Sequence, residues 1–174
     1  MALIASVAIL VKAEDLRALL KTFGMNRYSF GDLWVPGLAV VGMYGFTLGY
    51  TVVVKALGID FLTPRSTVPV EIARDNLGLA MAGVLACLVA PVAEEMFFRG
   101  FLLSGLLKWG FLPAALISGA IFTVAHLDIG SLIPFFTISL VMGWLYYWRG
   151  CLWDSIAFHF FFNTTSFLFL VSTR

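Results

Sequence analysis

Two adjacent glutamates and two histidines lie in stretches of the sequence that are otherwise apolar. Glu94 and Glu95 interrupt a long hydrophobic run, and His126 and His159, the only histidines of the chain, fall inside two later runs. Ionisable side chains in such segments are costly unless they face a cavity or one another. A carboxylate beside an imidazole can take a proton from water or pass protons along a relay. The pattern therefore indicates acid–base chemistry inside a membrane.

The depths of these groups predict that they meet. Alternating spans place the short loops at residues 108–110 and 149–150 on the same side of a membrane. Counted from those loops at 1.5 Å per residue, Glu94, His126 and His159 lie about 21, 24 and 14 Å deep. Three side chains from three different spans are thus expected in the middle third of the membrane.

Helical spacing separates the two glutamates. Glu95 and Arg99 are four residues apart and are expected to form an ion pair on one face of their helix. Glu94 points about 100° away from Glu95, so it is free to face another helix. Pro91 lacks a backbone N–H, which in an α-helix would leave the carbonyl of Cys87 without its donor.

Three short motifs resemble those of a known protease family. EEMFFR at residues 94–99 resembles the EExxxR motif of the CPBP intramembrane proteases, which comprise CAAX prenyl endopeptidases and Abi-type bacteriocin-processing proteins. FTVAH at 122–126 resembles that family's FxxxH motif, and HFFFN at 159–163 resembles its HxxxN motif. The motifs occur in the family's order, and the resemblance covers residues 78–172.

The resemblance implies a role for each motif residue. Glu94 and His126 would orient and deprotonate a water molecule, and His159 and Asn163 would face the oxyanion that forms on the substrate. Glu95 and Arg99, with Phe122, would support the site. Zinc and a metal-free mechanism both stay open. Glu94, His126 and His159 could be three zinc ligands with a fourth position for water, whereas the HExxH signature of zinc proteases is absent.

The composition requires that lipid surround the elements that carry these residues. Hydrophobic residues make up 61% of the 174 residues and charged residues 12%, about half the charge of a typical soluble domain. We expect an all-α, polytopic transmembrane bundle. Its five full spans are predicted at residues 33–54, 76–107, 111–127, 129–148 and 152–171.

The first 32 residues form a separate predicted region. Residues 1–11 are apolar but too short to span a bilayer, shorter than the first span of the resembled family, and they show no features of a cleaved signal peptide. Residues 13–23 have the spacing of an interfacial amphipathic helix. The bundle is then expected at 33–174. The excess of basic residues places the loops with Lys108 and Arg149 in the cytoplasm, in a prokaryotic plasma membrane.

The resemblance implies an intramembrane endopeptidase that cleaves a peptide or a prenylated protein. Two alternatives stay open: a proton or ion carrier that uses a Glu–His relay, and a non-catalytic immunity or scaffold protein. The net charge of +1 and the lack of a basic stripe argue against nucleic acid as a partner.

Overall fold

The computed structural model describes residues 20–27, 29–64 and 76–173, which form a bundle of helices with no strand among them. The predicted all-α fold is thereby confirmed. The apolar segment 1–11 and most of the amphipathic helix 13–23 lie outside the described residues. The five long helices are α1 (Trp34–Ala56), α2 (Asn76–Trp109), α3 (Phe111–Ala125), α4 (Leu132–Arg149) and α5 (Leu152–Ser172).

The chain is an integral membrane protein, and its five predicted spans correspond to the five long helices. Within the described ranges, three helices are long and apolar enough to cross a membrane: Phe30–Ala56, which includes α1, together with α2 and α5. The 15 residues of α3 extend about 22 Å at 1.5 Å per residue. The hydrocarbon core of a bilayer is about 30 Å thick. α3 is therefore shorter than a full span.

A tight turn after α3 explains its early end. Leu127 has φ 51°, in the left-handed region that a residue with a Cβ rarely adopts. The Asp128 carboxylate then accepts a hydrogen bond of 3.0 Å from the backbone N–H of Gly130. A Cβ on Gly130 would lie 2.4 Å from the carbonyl oxygen of Thr63, so this position requires glycine. The turn replaces the last residues of the predicted span and delays the start of α4.

The main core forms where α1, α2, α3, α4 and α5 meet. Phe98 on α2 and Phe122 on α3 are buried there, with ring centroids 5.0 Å apart at a near-perpendicular angle. The buried members of this core are Val35, Val40, Met43, Phe98, Phe122, Ile138, Met142, Leu145 and Phe158. Side chains of α2 that point inward therefore enter a densely packed interior.

The chain before α1 is bound to the start of α5. The backbone N–H of Leu152 donates to the carbonyl of Phe23 at 3.0 Å, and the indole of Trp153 donates to the carbonyl of Met25 at 3.1 Å. The Phe23 ring is buried against Gly100 of α2, where an added Cβ would come within 3.0 Å of it. These contacts hold the beginning of α5, and hence the residues that follow on it, against α2.

Candidate active site

A closed polar network surrounds Glu95 and Arg99 in the centre of the bundle. Both side chains are fully buried, and Nη1 of Arg99 donates to Oε1 of Glu95 at 2.8 Å. The predicted ion pair is thus confirmed. Nη2 of Arg99 donates to the carbonyl of Ser139 at 3.2 Å and to its hydroxyl at 2.8 Å. Buried charges are tolerated when they are paired and hydrogen-bonded in this way.

Two side chains of α5 complete the network on the other side of Glu95. The hydroxyl of Ser155 donates to Oε2, and Nδ1 of His159 lies 2.9 Å from Oε1. Because a carboxylate paired with Arg99 accepts hydrogen bonds, Nδ1 of His159 carries a hydrogen. The remaining nitrogen, Nε2, is then the atom of His159 that is available for other chemistry.

Glu94 and His126 form a second, more open group. Oε2 of Glu94 lies 3.7 Å from Nε2 of His126, and their side chains are 26% and 23% exposed. The described residues offer this buried oxygen no hydrogen-bond partner. A separation of 3.7 Å is too long for a direct hydrogen bond, so hydrogen bonding between the two groups requires a third group between them, such as a water molecule.

The backbone of α3 determines which nitrogen of His126 carries a hydrogen in the neutral ring. Its Nδ1 lies 2.8 Å from the carbonyl oxygen of Phe122, one turn earlier. A carbonyl oxygen accepts hydrogen bonds and cannot donate them, so Nδ1 carries the hydrogen. In a neutral imidazole, Nε2 is then a hydrogen-bond acceptor that faces Glu94. The pair therefore presents two acceptors to whatever lies between them.

Phe122 connects the two groups. Its ring centroid is 4.3 Å from that of His126 and 6.2 Å from that of His159. The guanidinium carbon of Arg99 lies 4.6 Å from the same centroid, within the range of a cation–π contact. The predicted supporting position of Phe122 agrees with these contacts, because the ring packs against both histidines.

The predicted site residues are brought together in two sets instead of one. Glu94 approaches His126, whereas His159 is bonded to the neighbouring glutamate, Glu95. Asn163 donates from Nδ2 to the carbonyl of Ala86 on α2 at 2.8 Å. Its role beside an oxyanion stays a prediction.

Ser139 and Ser155 were not identified from the sequence. Serine is common in membrane helices as a packing residue, so neither position stands out by composition. Ser155 did carry one available signal, because it precedes His159 by four residues and Asn163 by eight. These three positions share one face of α5.

The described residues do not assemble the three proposed zinc ligands. No group of three or more His, Cys, Asp or Glu side chains in that part of the chain could hold a metal ion. His159 contacts Glu95 through Nδ1, which leaves Nε2 as its one possible metal-binding atom.

The known proteins that this chain resembles are described as peptidases. The sequence profile of the type II CAAX prenyl endopeptidase Rce1-like family matches residues 76–165, just over half of the chain. The chain belongs to this family. Every predicted site residue lies inside the matched region, and the suspected resemblance is confirmed.

A more distant relative is described as "Putative membrane peptidase YdiL" of Bacillus subtilis (strain 168). It is 30% identical to this chain over 82 residues. The match covers 47% of this chain and 34% of the relative, so the chain spans about a third of that protein's length. No solved structure is a significant match.

Proposed function

We propose that this protein is an intramembrane endopeptidase in which Glu94 and His126 activate the attacking water. The observation that carries the proposal is the 3.7 Å separation of Glu94 Oε2 from His126 Nε2, at motif positions inside the family match. Two acceptors at this spacing can each bind one hydrogen of a water molecule and leave its oxygen lone pairs directed at a substrate.

Glu94 serves as the general base in this proposal. It takes a proton from the water as the oxygen bonds to the carbonyl carbon of the scissile peptide. The proton then passes to the amide nitrogen as the C–N bond breaks, which releases a carboxylic acid and an amine. His126 holds the water through Nε2 because its Nδ1 hydrogen is committed to Phe122.

His159 is the proposed donor to the oxygen that becomes negatively charged. Because Nδ1 is directed at Glu95, donation to substrate would come from Nε2 of a doubly protonated ring. The buried Glu95 carboxylate accepts the Nδ1 hydrogen and thereby fixes the orientation of the ring. Donors fixed in advance, as this network would fix His159, stabilise developing charge without reorganisation.

The proposed substrate is a membrane-associated peptide, and an apolar cavity suits a prenylated one. The cavity, of about 330 Å³, lies beside Pro91 and Val92, one turn before the glutamates on α2. Its other lining residues are apolar, apart from the edge of the Trp153 indole. They are Leu33, Cys87, Leu88, Trp153, Ile156, Ala157, Phe160 and Phe161.

A comparison of Glu94→Gln with the wild-type protein tests the proposal. Glutamine keeps the shape of the side chain but cannot take the proton, so kcat is expected to fall about 10²- to 10⁴-fold. Membrane proteomes of cells that carry either form identify the precursors that accumulate. Peptides from those precursors then serve as substrates for the purified protein in detergent.

Asp60→Asn is the matched control, since Asp60 is an exposed carboxylate after α1. It should process the precursors at the wild-type rate. A non-catalytic scaffold predicts that neither variant causes precursors to accumulate. If the protein is an ion carrier, Glu94→Gln should abolish proton flux in vesicles, and no uncleaved precursors should accumulate. Either result would overturn the proposed peptidase.

A further inference from the structure

The helix that carries both glutamates contains a wide turn before them. Residues Leu85–Val89 of α2 form a π-helical turn, and the N–H of Ala90 donates to the carbonyl of Leu85, five residues earlier. In an α-helix the same N–H would donate to Ala86, four residues earlier. The π turn therefore takes away the donor that Ala86 would have in an α-helix.

Pro91 removes the second possible donor. Continued π-helical bonding would require the N–H of residue 91 to donate to the carbonyl of Ala86. Proline has no N–H, so Ala86 is left without either intrahelical donor. If α2 were α-helical here, the carbonyl left unpaired by Pro91 would be that of Cys87, as the sequence predicts. The π turn moves it by one residue, to Ala86.

A side chain from another helix supplies the missing donor. Nδ2 of Asn163, on α5, donates to the carbonyl oxygen of Ala86 at 2.8 Å. Inside a membrane, an unpaired backbone group costs several kcal/mol, so the wide turn depends on a partner of this kind. Asn163 is the partner that the structure provides.

We propose that Asn163 is a positioning residue that holds α2 in the π-helical register and thereby keeps Glu94 directed at His126. This inference rests on the proposed function of Glu94. The π turn adds one residue to the helix, so a return to α-helical bonding would rotate the following part of α2 by about 100°. That angle is the one between neighbouring side chains, and it would carry Glu94 away from His126.

A double-mutant cycle between Pro91 and Asn163 tests the proposal. In Pro91→Ala, position 91 gains an N–H that can donate to Ala86 in the existing register. We expect Asn163→Ala in the wild-type background to lower Tm by roughly 3–10 °C and kcat at least tenfold per folded molecule, with KM nearly unchanged. In the Pro91→Ala background, Asn163→Ala should cost less than a third of each effect.

Thr165→Ala is the matched control on the same helix. Its hydroxyl donates to a carbonyl of its own helix, that of Phe161, and it is exposed. It should leave both Tm and kcat unchanged in either background. If Pro91→Ala does not fold, Asn163→Asp replaces that arm. A carboxylate oxygen would face the Ala86 oxygen, so Tm should fall further than in Asn163→Ala.

Three results would overturn the proposal. Losses from Asn163→Ala that are equal in both backgrounds would mean that the amide acts elsewhere, for example on the substrate. A lower Tm with unchanged kcat would reduce Asn163 to a packing residue. In the replacement arm, an Asn163→Asp variant that is as stable as Asn163→Ala would contradict the hydrogen bond to Ala86. The Tm measurements require no peptidase activity. A failure of this proposal can therefore be distinguished from a failure of the proposed function.

Discussion

Glu94 and Glu95 are neighbours in the sequence but lie in two different environments. Glu95 is fully buried and is bonded to Arg99, Ser155 and His159. Glu94 is about a quarter exposed and faces His126 at 3.7 Å. The two differ by one helical position, which turns one carboxylate into the packed core and the other towards a neighbouring helix end.

The comparison shows how the same side chain can be committed to structure or left available for chemistry. The bonds around Glu95 satisfy both of its oxygens, so this carboxylate has little capacity left for a reacting molecule. The oxygen of Glu94 that faces His126 has no hydrogen-bond partner among the described residues. A general base needs such an available oxygen within reach of the proton that it removes.

Among the substitutions that test the different roles of the two glutamates, Glu95→Gln is expected to change the free energy of unfolding most. It removes the countercharge of a buried arginine, and breaking a buried ion pair costs about 3–5 kcal/mol in the free energy of unfolding. Glu94→Gln should change that free energy by less than about 1 kcal/mol. Unfolding of both variants in detergent, followed by circular dichroism, measures the difference. Equal destabilisation would contradict the division of roles.

A smaller effect is expected from Ser155→Ala. One oxygen of Glu95 loses its buried donor, which should lower the free energy of unfolding by roughly 1–3 kcal/mol. Ser172→Ala is the control, because that exposed hydroxyl donates to a carbonyl near the end of the same helix, and it should stay within about 0.5 kcal/mol of wild type. If Ser155→Ala were as stable as its control, Ser155 would not belong to the network.

The smallest effect is expected from metal removal. In the proposed mechanism Glu94 and His126 activate water without a third ligand, so a strong chelator should change kcat by less than about twofold. Metal content measured by mass spectrometry should be the same in the wild type and His159→Ala. If activity were lost to the chelator and regained with zinc, Glu94, His126 and His159 would instead form one metal site.

Much of the helical framework was predictable from the sequence. The predicted and observed helices agree to within three residues at every end, because long apolar runs are separated by charged residues and glycines. The Glu95–Arg99 pair was also predictable, since a spacing of four residues is sufficient for contact on an α-helix. These features depend on local sequence, which is why spacing alone located them.

The features that the sequence did not predict depend on contacts between helices. The π-helical turn at Leu85–Val89 exists beside Asn163, which lies more than seventy positions later. Likewise, Ser139 becomes a partner of Arg99 through the packing of α4 on α2. His159 was expected beside Glu94, but depth alone does not specify which of two adjacent glutamates a histidine contacts.

The short length of α3 has a consequence for the supply of water to the bundle. Hydrolysis consumes one water molecule per bond, and hydrocarbon holds very little. A helix of about 22 Å is shorter than a bilayer core of about 30 Å, and such a mismatch is accommodated by thinning of the bilayer, by snorkelling of flanking side chains or by oligomerisation. His126 immediately follows the last residue of that helix. If the bilayer thins beside α3, its wet surface comes closer to the residues that are proposed to activate water.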